Sequence, residues 1–416
     1  MKREIWKGSE AIAEAAIRAG CRGFFGYPIT PQNEIPEYMS LKMPQAGGVF
    51  VQAESEVAAI NMVYGAAASG IRAMTSSSSP GVSLKQEGIS YMVGAQLPAV
   101  IVNVMRGGPG LGSIQPAQGD YYQATRGGGN GDYRTVVIAP ANLQETVDLM
   151  QEAFDIADQY RNPVIVLVDG LIGQMMEPIV WHDNPGRQLP EKTWAATGLH
   201  GRSHNNFINS LFIDAVSCEE HNQQLAKKYA EMEAKECKWE ELMLEDAEVV
   251  FVAYGTPSRI AQTAAENLRK QGIKAGVFRP ITLWPFPYAR LKEVASRTSV
   301  KVLVDVEMSM GQMVDDVRLA VNGERPVEFY GRTGGMVPTV KEIVDHIMGM
   351  AQPSGFAGQV DQAIGSMGEK LGEMGRKLDE KLNSPEFVEK TEALKKQAAD
   401  VAGKAADGLA KGATLM

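Results

Sequence analysis

The chain has 416 residues, of which 44% are hydrophobic and 22% are charged, and its formal net charge is −9 at pH 7. This length predicts two or three domains, and the composition is typical of a soluble globular protein. The acidic balance argues against a nucleic-acid partner. Because the sequence contains no run of 18 apolar residues, we expect no membrane partner either.

The first part of the chain alternates segments with helical periodicity and short runs rich in Val and Ile. Helices are predicted over residues 9–19, 55–69, 81–94 and 143–160. Strands are predicted over residues 21–27, 48–53, 72–76, 99–104, 135–139 and 164–168. Unbroken apolar runs such as AVIVNV and VIVLV are typical of parallel strands buried on both faces.

From about residue 177 the regular alternation weakens, and it resumes near residue 246 with VVFVAYG, KAGVFRP and KVLVDVE as strands. We therefore predict an α/β fold with two doubly wound parallel-sheet domains, residues 1–182 and 246–350. A linker over 183–245 contains a docking helix over 217–241. Apolar residues three or four apart predict an amphipathic helical tail over 351–416, which is either a helical hairpin or loosely ordered.

The segment GYPITPQNEIPEY follows the first predicted strand and places Thr30 between Pro28 and Pro31. A polar group on a stiff turn after a buried strand is a common ligand-binding arrangement in α/β proteins. A plain strand-to-helix turn, with Pro31 starting the helix, explains the same residues without a ligand. The carboxyl ends of parallel strands meet at one edge, so this turn, the AESE turn and RGGPGLG can converge on one cleft.

Glu54 and Glu56 flank the start of the helix predicted over residues 55–69. Acidic residues in a first helical turn stabilise the helix dipole by roughly 0.3–1 kcal/mol, which is a sufficient structural explanation. Glu56, however, precedes a helix of small and apolar residues that has to be buried. A carboxylate at the mouth of such a helix can have a tuned proton affinity.

Arg106 ends the strand AVIVNVMR, where its guanidinium either grips a carboxylate or lies on the surface. The following RGGPGLG is a poor dinucleotide-binding fingerprint, and there is no GxxxxGK[ST] phosphate loop. The sequence also lacks a GDG motif with a downstream Asn-Asn pair, and it lacks a GxSxG nucleophile motif. The chain thus carries positioning groups without a complete catalytic set.

The three cysteines, Cys21, Cys218 and Cys237, form no CxxC pair, and the five histidines show no metal-ligand spacing. We predict no metal site and no iron–sulfur cluster on this chain. Reduced, widely separated thiols are typical of the cytoplasm, which is the predicted location.

Taken together, YPITP, QAESEVAAINMVYGAAASG, TSSSSPG, MRGGPGLG, FRPITLWPFP and EMSMGQM resemble the alpha subunit of 2-oxoacid:ferredoxin oxidoreductases. The resemblance runs from about residue 3 to 350 and is strongest to the branched-chain type, which acts on 2-oxoisovalerate. It implies a thiamine pyrimidine-binding-like domain followed by a transketolase C-terminal-like domain. The tail from about residue 355 is not part of the resemblance.

The resemblance also implies the cofactors and partners. A beta subunit would share thiamine diphosphate with this chain and would carry Mg²⁺ and a [4Fe–4S] cluster. Gamma and ferredoxin-like delta subunits would complete the complex, coenzyme A would be a co-substrate, and ferredoxin would accept the electrons. The diphosphate motif and cysteine cluster missing from this chain are consistent with that division.

The site residues follow from the same resemblance. Glu56 would be the catalytic glutamate that hydrogen-bonds the pyrimidine ring of the cofactor, with Ile29 and Thr30 as further cofactor contacts. Thr30 would also hydrogen-bond a substrate oxygen, and Arg106 would pair with the substrate carboxylate. The implied reaction is the oxidative decarboxylation of a branched-chain 2-oxo acid to acyl-CoA and CO₂.

Two alternatives remain open at the level of sequence. Relatives that act on 2-oxoglutarate or pyruvate share the same backbone motifs, so the motifs leave the choice of 2-oxo acid undecided. The chain could also be a non-catalytic assembly module that keeps the fold, although the presence of Thr30, Glu56 and Arg106 together argues against this.

Overall fold

The computed structural model, which describes residues 2–182 and 186–351, consists of two mainly parallel β-sheets, one two-stranded antiparallel sheet and flanking helices. The elements up to residue 182 are β1 (Glu4–Lys7), α1 (Gly8–Arg18), β2 (Gly23–Gly26), α2 (Glu34–Gln45), β3 (Val49–Gln52), α3 (Glu56–Ala68), β4 (Ala73–Ser77), α4 (Pro80–Gly94), β5 (Ala99–Met105), α5 (Tyr121–Thr125), β6 (Val136–Ile138), α6 (Leu143–Tyr160), β7 (Pro163–Asp169), α7 (Gly170–Gln174) and β8 (Met176–Ile179). The later elements are α8 (Ala215–Lys235), β9 (Trp239–Leu242), β10 (Val249–Val252), α9 (Gly255–Lys270), β11 (Ala275–Pro280), β12 (Thr282–Trp284), α10 (Tyr288–Ala295), β13 (Val302–Glu307), α11 (Met313–Val321), β14 (Val327–Gly331) and α12 (Val340–Ala351).

The larger sheet has the strand order β12-β6-β7-β5-β4-β2-β3, and every neighbouring pair is parallel except β12 with β6. Its central strands β5 and β7 are buried along their whole length, which explains their unbroken apolar sequences. Helices α1 and α6 pack together, as do α3 and α4. The predicted α/β class is confirmed, with mixed rather than purely parallel sheets.

The smaller sheet has the order β14-β13-β10-β11-β9, with β9 antiparallel at its edge. The helix predicted over 217–241 is present as α8, but it ends at Lys235. Residues 239–242 instead form β9, which pairs with β11. Pairing with a neighbouring strand overrides the helical tendency of this charged segment.

The two sheets are linked by the strand β12, which follows β11 of the smaller sheet and pairs with β6 of the larger one. Asp169 at the end of β7 also accepts hydrogen bonds from the amide and hydroxyl of Thr256, at 2.9 and 2.8 Å. Arg279 of β11 is paired with Glu145 of α6 at 2.7 Å. Residues up to Asp345 accordingly form one compact unit, and the division into domains 1–182 and 246–350 with a linker 183–245 stays a prediction.

A second unit begins at His346. Apart from Ala351, where α12 ends, the predicted tail over 351–416 lies outside the described residues. Within residues 2–182 and 186–351, no helix has both the length and the apolar character needed to cross a bilayer.

Candidate active site

The loops that follow β2, β4 and β5 meet at the carboxyl edge of the larger sheet. These three strands are neighbours in the sheet and run parallel, so their ends lie side by side. The first loop carries Ile29 and Thr30, the second carries the serine run 76–79, and the third begins at Arg106. Two of the predicted site residues, Thr30 and Arg106, are in direct contact at this edge.

Thr30 is exposed on its loop, Ile29 is half-buried, and the Thr30–Pro31 peptide bond is cis. Hydrogen bonds from neighbouring elements fix the loop, and in one of them Gln174 donates to the main-chain oxygen of Pro31 at 2.9 Å. Buried Gln32 accepts a hydrogen bond from the hydroxyl of Ser76 on β4. The hydroxyl of Thr30 is therefore presented on an anchored turn. It accepts a long hydrogen bond of 3.4 Å from the side-chain amide of Asn33.

The guanidinium of Arg106 is buried between two of these loops. Its Nη1 donates to the main-chain oxygen of Thr30 at 2.8 Å, and its Nη2 donates to that of Leu111 at 3.2 Å. Its Nε is buried and has no hydrogen-bond partner among residues 2–182 and 186–351. Arg106 thus joins the Thr30 loop to the glycine-rich loop while retaining donors for a ligand.

Three residues beside Arg106 complete a network that the sequence motifs alone did not single out as functional. Ser79 has a φ of 23° and a ψ of −83°, a backbone conformation that residues other than glycine rarely adopt. Its hydroxyl donates to Asp120 at 2.6 Å and accepts from the amide of Arg106 at 3.1 Å. Asn103 donates to Asp120 at 2.9 Å and accepts from the amide of Ser79 at 3.1 Å.

This network holds a strained serine at the edge of the sheet and buries a carboxyl beside an arginine. Burial raises the pKa of Asp120, although hydrogen bonds from Ser79 and Asn103 and the charge of Arg106 act in the opposite direction. A sequence signal for the network did exist, because Asn103 is the one polar residue in an otherwise apolar strand. Backbone strain at Ser79 is typical of ligand-binding positions.

Glu56 is the first residue of α3 and is buried, with 6% of its surface exposed. Ser55 caps the helix by accepting a hydrogen bond from the amide of Ala58 at 3.1 Å. A Cβ atom placed on Gly81, at the start of α4, would lie 2.7 Å from Oε1 of Glu56 and 2.2 Å from Oγ of Ser77. Glycine at position 81 therefore lets the carboxylate reach the serine run, which Ser79 connects to Arg106.

Some buried polar atoms at this edge of the sheet have no hydrogen-bond partner within the described part of the chain. The unpartnered hydroxyls on β4 and the following turn are those of Thr75, Ser77 and Ser78. Of these, the hydroxyl of Ser77 lies beside Gly81, as the carboxylate of Glu56 does. Buried polar groups without partners are rare in folded proteins, so these hydroxyls are candidate partners for a polar ligand.

A cavity of about 380 Å³ opens beside Thr30 and Pro31. Its walls are lined by Thr30, Pro31, Asn33, Glu34, Ile114, Gln115, Pro116, Gly170, Leu171 and Gln174. This lining combines apolar walls with amide groups, and the one charged side chain in it is that of Glu34. Across residues 2–182 and 186–351, no cluster of three or more His, Cys, Asp or Glu residues is arranged to hold a metal ion.

Two family models match the chain. Residues 14–241 match the model described as pyruvate flavodoxin/ferredoxin oxidoreductase, thiamine diphosphate-binding. Residues 247–343 match core domain II of pyruvate:ferredoxin oxidoreductase. The candidate site described above lies in the first of these regions.

Curated relatives cover most of the chain. Ketoisovalerate oxidoreductase subunit VorB of Methanothermobacter thermautotrophicus is 49% identical over 354 residues, which is 85% of this chain and 99% of the relative. The 2-oxoglutarate synthase subunit KorA of Methanocaldococcus jannaschii is 37% identical, over 84% of this chain and 100% of the relative.

Among solved structures, the 2-oxoglutarate:ferredoxin oxidoreductase of Magnetococcus marinus, with 2-oxoglutarate, coenzyme A and succinyl-CoA bound, matches with a TM-score of 0.75. The two are 25% identical, and the match covers 84% of this chain and 65% of that longer chain. A split-gene transketolase matches with a TM-score of 0.51 at 16% identity, which shows a likeness of fold alone.

Proposed function

The chain belongs to the 2-oxoacid:ferredoxin oxidoreductases, and on that basis we propose that it forms the pyrimidine side of a thiamine diphosphate site shared with a second subunit. The proposed reaction is the oxidative decarboxylation of a branched-chain 2-oxo acid to acyl-CoA and CO₂, with reduction of ferredoxin. The observation that carries the proposal is the position of Glu56: a buried carboxylate at a helix N-terminus, close to the unpartnered hydroxyl of Ser77.

The residues around Glu56 fit the aminopyrimidine of thiamine diphosphate. A flat, nitrogen-rich heterocycle needs a carboxylate and polar hydrogen-bonding partners. Glu56 and the unpartnered hydroxyl of Ser77 supply these features, and Gly81 leaves room for both side chains. When bound, the cofactor supplies the carbon nucleophile and the electron sink that decarboxylation of a 2-oxo acid requires.

The role proposed for Glu56 is to hold a proton between its carboxylate oxygen and the nearest ring nitrogen of the cofactor. Glu56 lies at the N-terminal end of α3, where helix dipoles in general favour acidic side chains. Burial excludes water that would compete for the shared hydrogen bond, and strengthens the interaction. Ile29, on the neighbouring loop, is proposed as an apolar contact of the same cofactor.

Thr30 and Arg106 are proposed to bind the 2-oxo acid. The exposed hydroxyl of Thr30 can donate to a substrate oxygen, and Arg106 retains its Nε donor and one donor on each terminal nitrogen. Because two donors of Arg106 already hold main-chain oxygens, we assign it two tasks: to fix the loops and to attract the substrate carboxylate.

The cavity beside Thr30 supports a branched-chain substrate over 2-oxoglutarate. An apolar side chain would contact Ile114, Pro116 and Leu171. A distal carboxylate needs a basic group, and none of the residues that line this cavity is basic. Glu34 in its wall is paired with Lys7 at 2.5 Å, so it offers such a carboxylate no attraction.

The remaining components are proposed to come from partner subunits. A beta subunit would bind the diphosphate with Mg²⁺ and carry a [4Fe–4S] cluster. Gamma and ferredoxin-like delta subunits would transfer electrons to ferredoxin. Coenzyme A would enter as the acyl acceptor, as its presence in the Magnetococcus marinus structure supports. A cytoplasmic location stays a prediction, consistent with three free cysteines.

The test is to co-express the chain with the subunits encoded beside it and to measure viologen reduction with coenzyme A and each of 2-oxoisovalerate, 2-oxoglutarate and pyruvate. The proposal expects reduction to be fastest with 2-oxoisovalerate. A preference for 2-oxoglutarate or pyruvate would overturn the substrate assignment. The absence of reduction with all three acids, in a complex that binds the cofactor, would favour the non-catalytic assembly module.

A further inference from the structure

Lys85 lies on α4 and is completely buried, which is rare for a lysine. Its Nζ donates to the main-chain oxygen of Glu56 at 3.4 Å. Among the described residues this is the single hydrogen bond of the ammonium group. The side chain therefore ends directly at the first turn of α3, where the proposed catalytic carboxylate begins.

The contact between α3 and α4 is unusually close on both sides of Lys85. A Cβ atom on Gly81 would lie 2.7 Å from Oε1 of Glu56, and one on Gly88 would lie 2.5 Å from Cγ2 of Ile60. Positions 81, 85 and 88 follow the helical repeat and share one face of α4. Lys85 thus occupies the seam between the two helices, with a glycine contact on each side of it.

An apolar residue of similar length would fill this seam without the cost of removing an ammonium group from water. Burial lowers the pKa of Lys85 to about 8, and the negative charge of Glu56 acts in the opposite direction. Below that pH the lysine is charged although its surroundings disfavour charge. A role for the charge itself explains why a lysine occupies the position.

The other charged groups near α4 already have partners of their own. Glu87 on α4 is exposed and hydrogen-bonds Tyr91. Asp120, near the start of the helix, is bound by Ser79 and Asn103. Glu56 on α3 is the charged group that acts on Lys85, and its negative charge raises the pKa of the lysine.

We propose that Lys85 is a positioning residue that fixes the first turn of α3 and places a positive charge beside the carboxylate of Glu56. The hydrogen bond to the Glu56 main chain sets where the carboxylate starts, and the positive charge makes a further proton less favourable once the cofactor ring is bound at the site. This inference rests on the proposed function of Glu56.

The test uses the complex of this chain with its diphosphate-binding partner, loaded with thiamine diphosphate and Mg²⁺ but without any 2-oxo acid. The near-ultraviolet circular dichroism of the bound cofactor is recorded from pH 5.5 to pH 9, a range chosen to span about 8, where Lys85 itself titrates. Lys85→Met removes the charge at similar length, and Lys85→Gln removes the charge but keeps a donor. Lys228→Met removes the ammonium of a half-buried lysine on α8, whose pKa is also lowered, and serves as the control.

Removal of a neighbouring positive charge raises proton affinity. We therefore expect the pH midpoint of the cofactor spectrum to move upward by about one unit in Lys85→Met and Lys85→Gln. Lys228→Met should leave it unchanged. At a given pH, the difference between the cofactor spectra of wild type and Lys85→Met should be largest below pH 8. It should vanish above that pH, because the wild-type lysine is then neutral. In a Glu56→Gln background, Lys85→Met should have no further effect.

An unchanged midpoint in Lys85→Met or Lys85→Gln, whichever melts at the wild-type temperature, would overturn the inference and leave Lys85 a packing residue. An equal spectral shift with and without Glu56 would overturn it too. If Glu56→Gln alone retains both wild-type turnover and the wild-type spectrum, then the proposed function of Glu56 fails instead. The two failures are therefore distinguishable.

Discussion

The guanidinium of Arg106 donates a hydrogen bond of 2.8 Å to the main-chain oxygen of Thr30, across 76 residues of chain. Arg106 also holds Leu111 of the glycine-rich loop through its second terminal nitrogen. The loop that presents the Thr30 hydroxyl and the loop that closes the cleft are therefore held by one side chain. Both loops bind the guanidinium through main-chain oxygens, so neither of these two hydrogen bonds adds a counter-charge.

Replacement of Arg106 by lysine should weaken substrate binding and loosen both loops. Lysine has one nitrogen and cannot span the two carbonyl groups that the guanidinium fork holds. We expect KM for the 2-oxo acid to rise roughly tenfold to a hundredfold, as loss of a charged hydrogen bond predicts. Steady-state kinetics of viologen reduction measure this. Arg22→Lys, whose guanidinium also binds main-chain oxygens but is exposed, should leave KM unchanged.

Glu56→Gln should leave the complex assembled and reduce turnover by roughly 10²–10⁴, the usual contribution of a general acid–base group. The amide keeps the shape of the side chain but cannot exchange a proton with the cofactor ring. Glu54→Gln is the matched control, because Glu54 is acidic, lies at the same turn and is exposed. The rate of single-turnover decarboxylation should be reduced in Glu56→Gln and unchanged in Glu54→Gln. Equal rates in the two variants would show that Glu56 does not have the proposed role.

Gly81→Ala should reduce the affinity for thiamine diphosphate. The added methyl group would overlap Ser77 and Glu56 unless one of them moves, and overpacking of this kind costs about 1–3 kcal/mol. Calorimetric titration of the apo complex with the cofactor measures the loss. Gly65→Ala on α3 meets no atom within 4 Å. That control should bind the cofactor normally and gain about 0.5–1 kcal/mol of stability, since glycine is unfavourable inside a helix.

Ile114→Arg should shift substrate preference toward 2-oxoglutarate. Ile114 is exposed at the wall of the cavity beside Thr30, so an arginine there need not disturb the core. A guanidinium can pair with the distal carboxylate of 2-oxoglutarate. The ratio of kcat/KM for 2-oxoglutarate to that for 2-oxoisovalerate should rise at least about tenfold, the effect of one charged hydrogen bond. Ile114→Gln supplies the neutral comparison, and a similar ratio in both variants would show that the cavity does not hold the substrate side chain.

Lys228 should make the stability of the chain depend on pH. Burial, reinforced by the charge of Arg161, lowers the pKa of Lys228 to about 7. Between that pH and the lysine's usual 10.5, the unfolded chain binds more protons than the folded chain, so this group's contribution to stability rises with pH. Lys228→Met should therefore be more stable than wild type at pH 6 by a margin that shrinks toward pH 10. Chemical unfolding of both proteins at several pH values measures the difference, and a margin that grows with pH would contradict it.

The alternation of elements and the burial of strands were predictable because they follow from local periodicity. The runs that form β5 and β7 are apolar at every position except Asn103, Pro163 and Asp169, and each is buried on both faces. The sequence motifs also indicated that the loops after β2, β3 and β5 would meet at one edge, and the first and third of these do. Contact between Thr30 and Arg106 agrees with that interpretation.

Strand assignments that depend on distant partners were not predictable in the same way. The run that ends β11 continues into β12, which leaves its own sheet and pairs with β6. Residues 239–241 were predicted as the end of a helix, but together with residue 242 they form β9, because the edge of β11 is open to them. Periodicity reports how a segment is buried, but it does not report which strand lies beside it.

The sequence by itself determined the α/β class, the likeness to a family and the candidates Thr30, Glu56 and Arg106, since these depend on local pattern and motif. Tertiary structure alone decided that Gly81 opens space for the Glu56 carboxylate and that Ser79, Asn103 and Asp120 surround Arg106. It also decided that Lys85 ends at the Glu56 main chain, 29 residues away. Such contacts arise from how helices and strands pack, and packing geometry is not encoded in the spacing of residues along any one element.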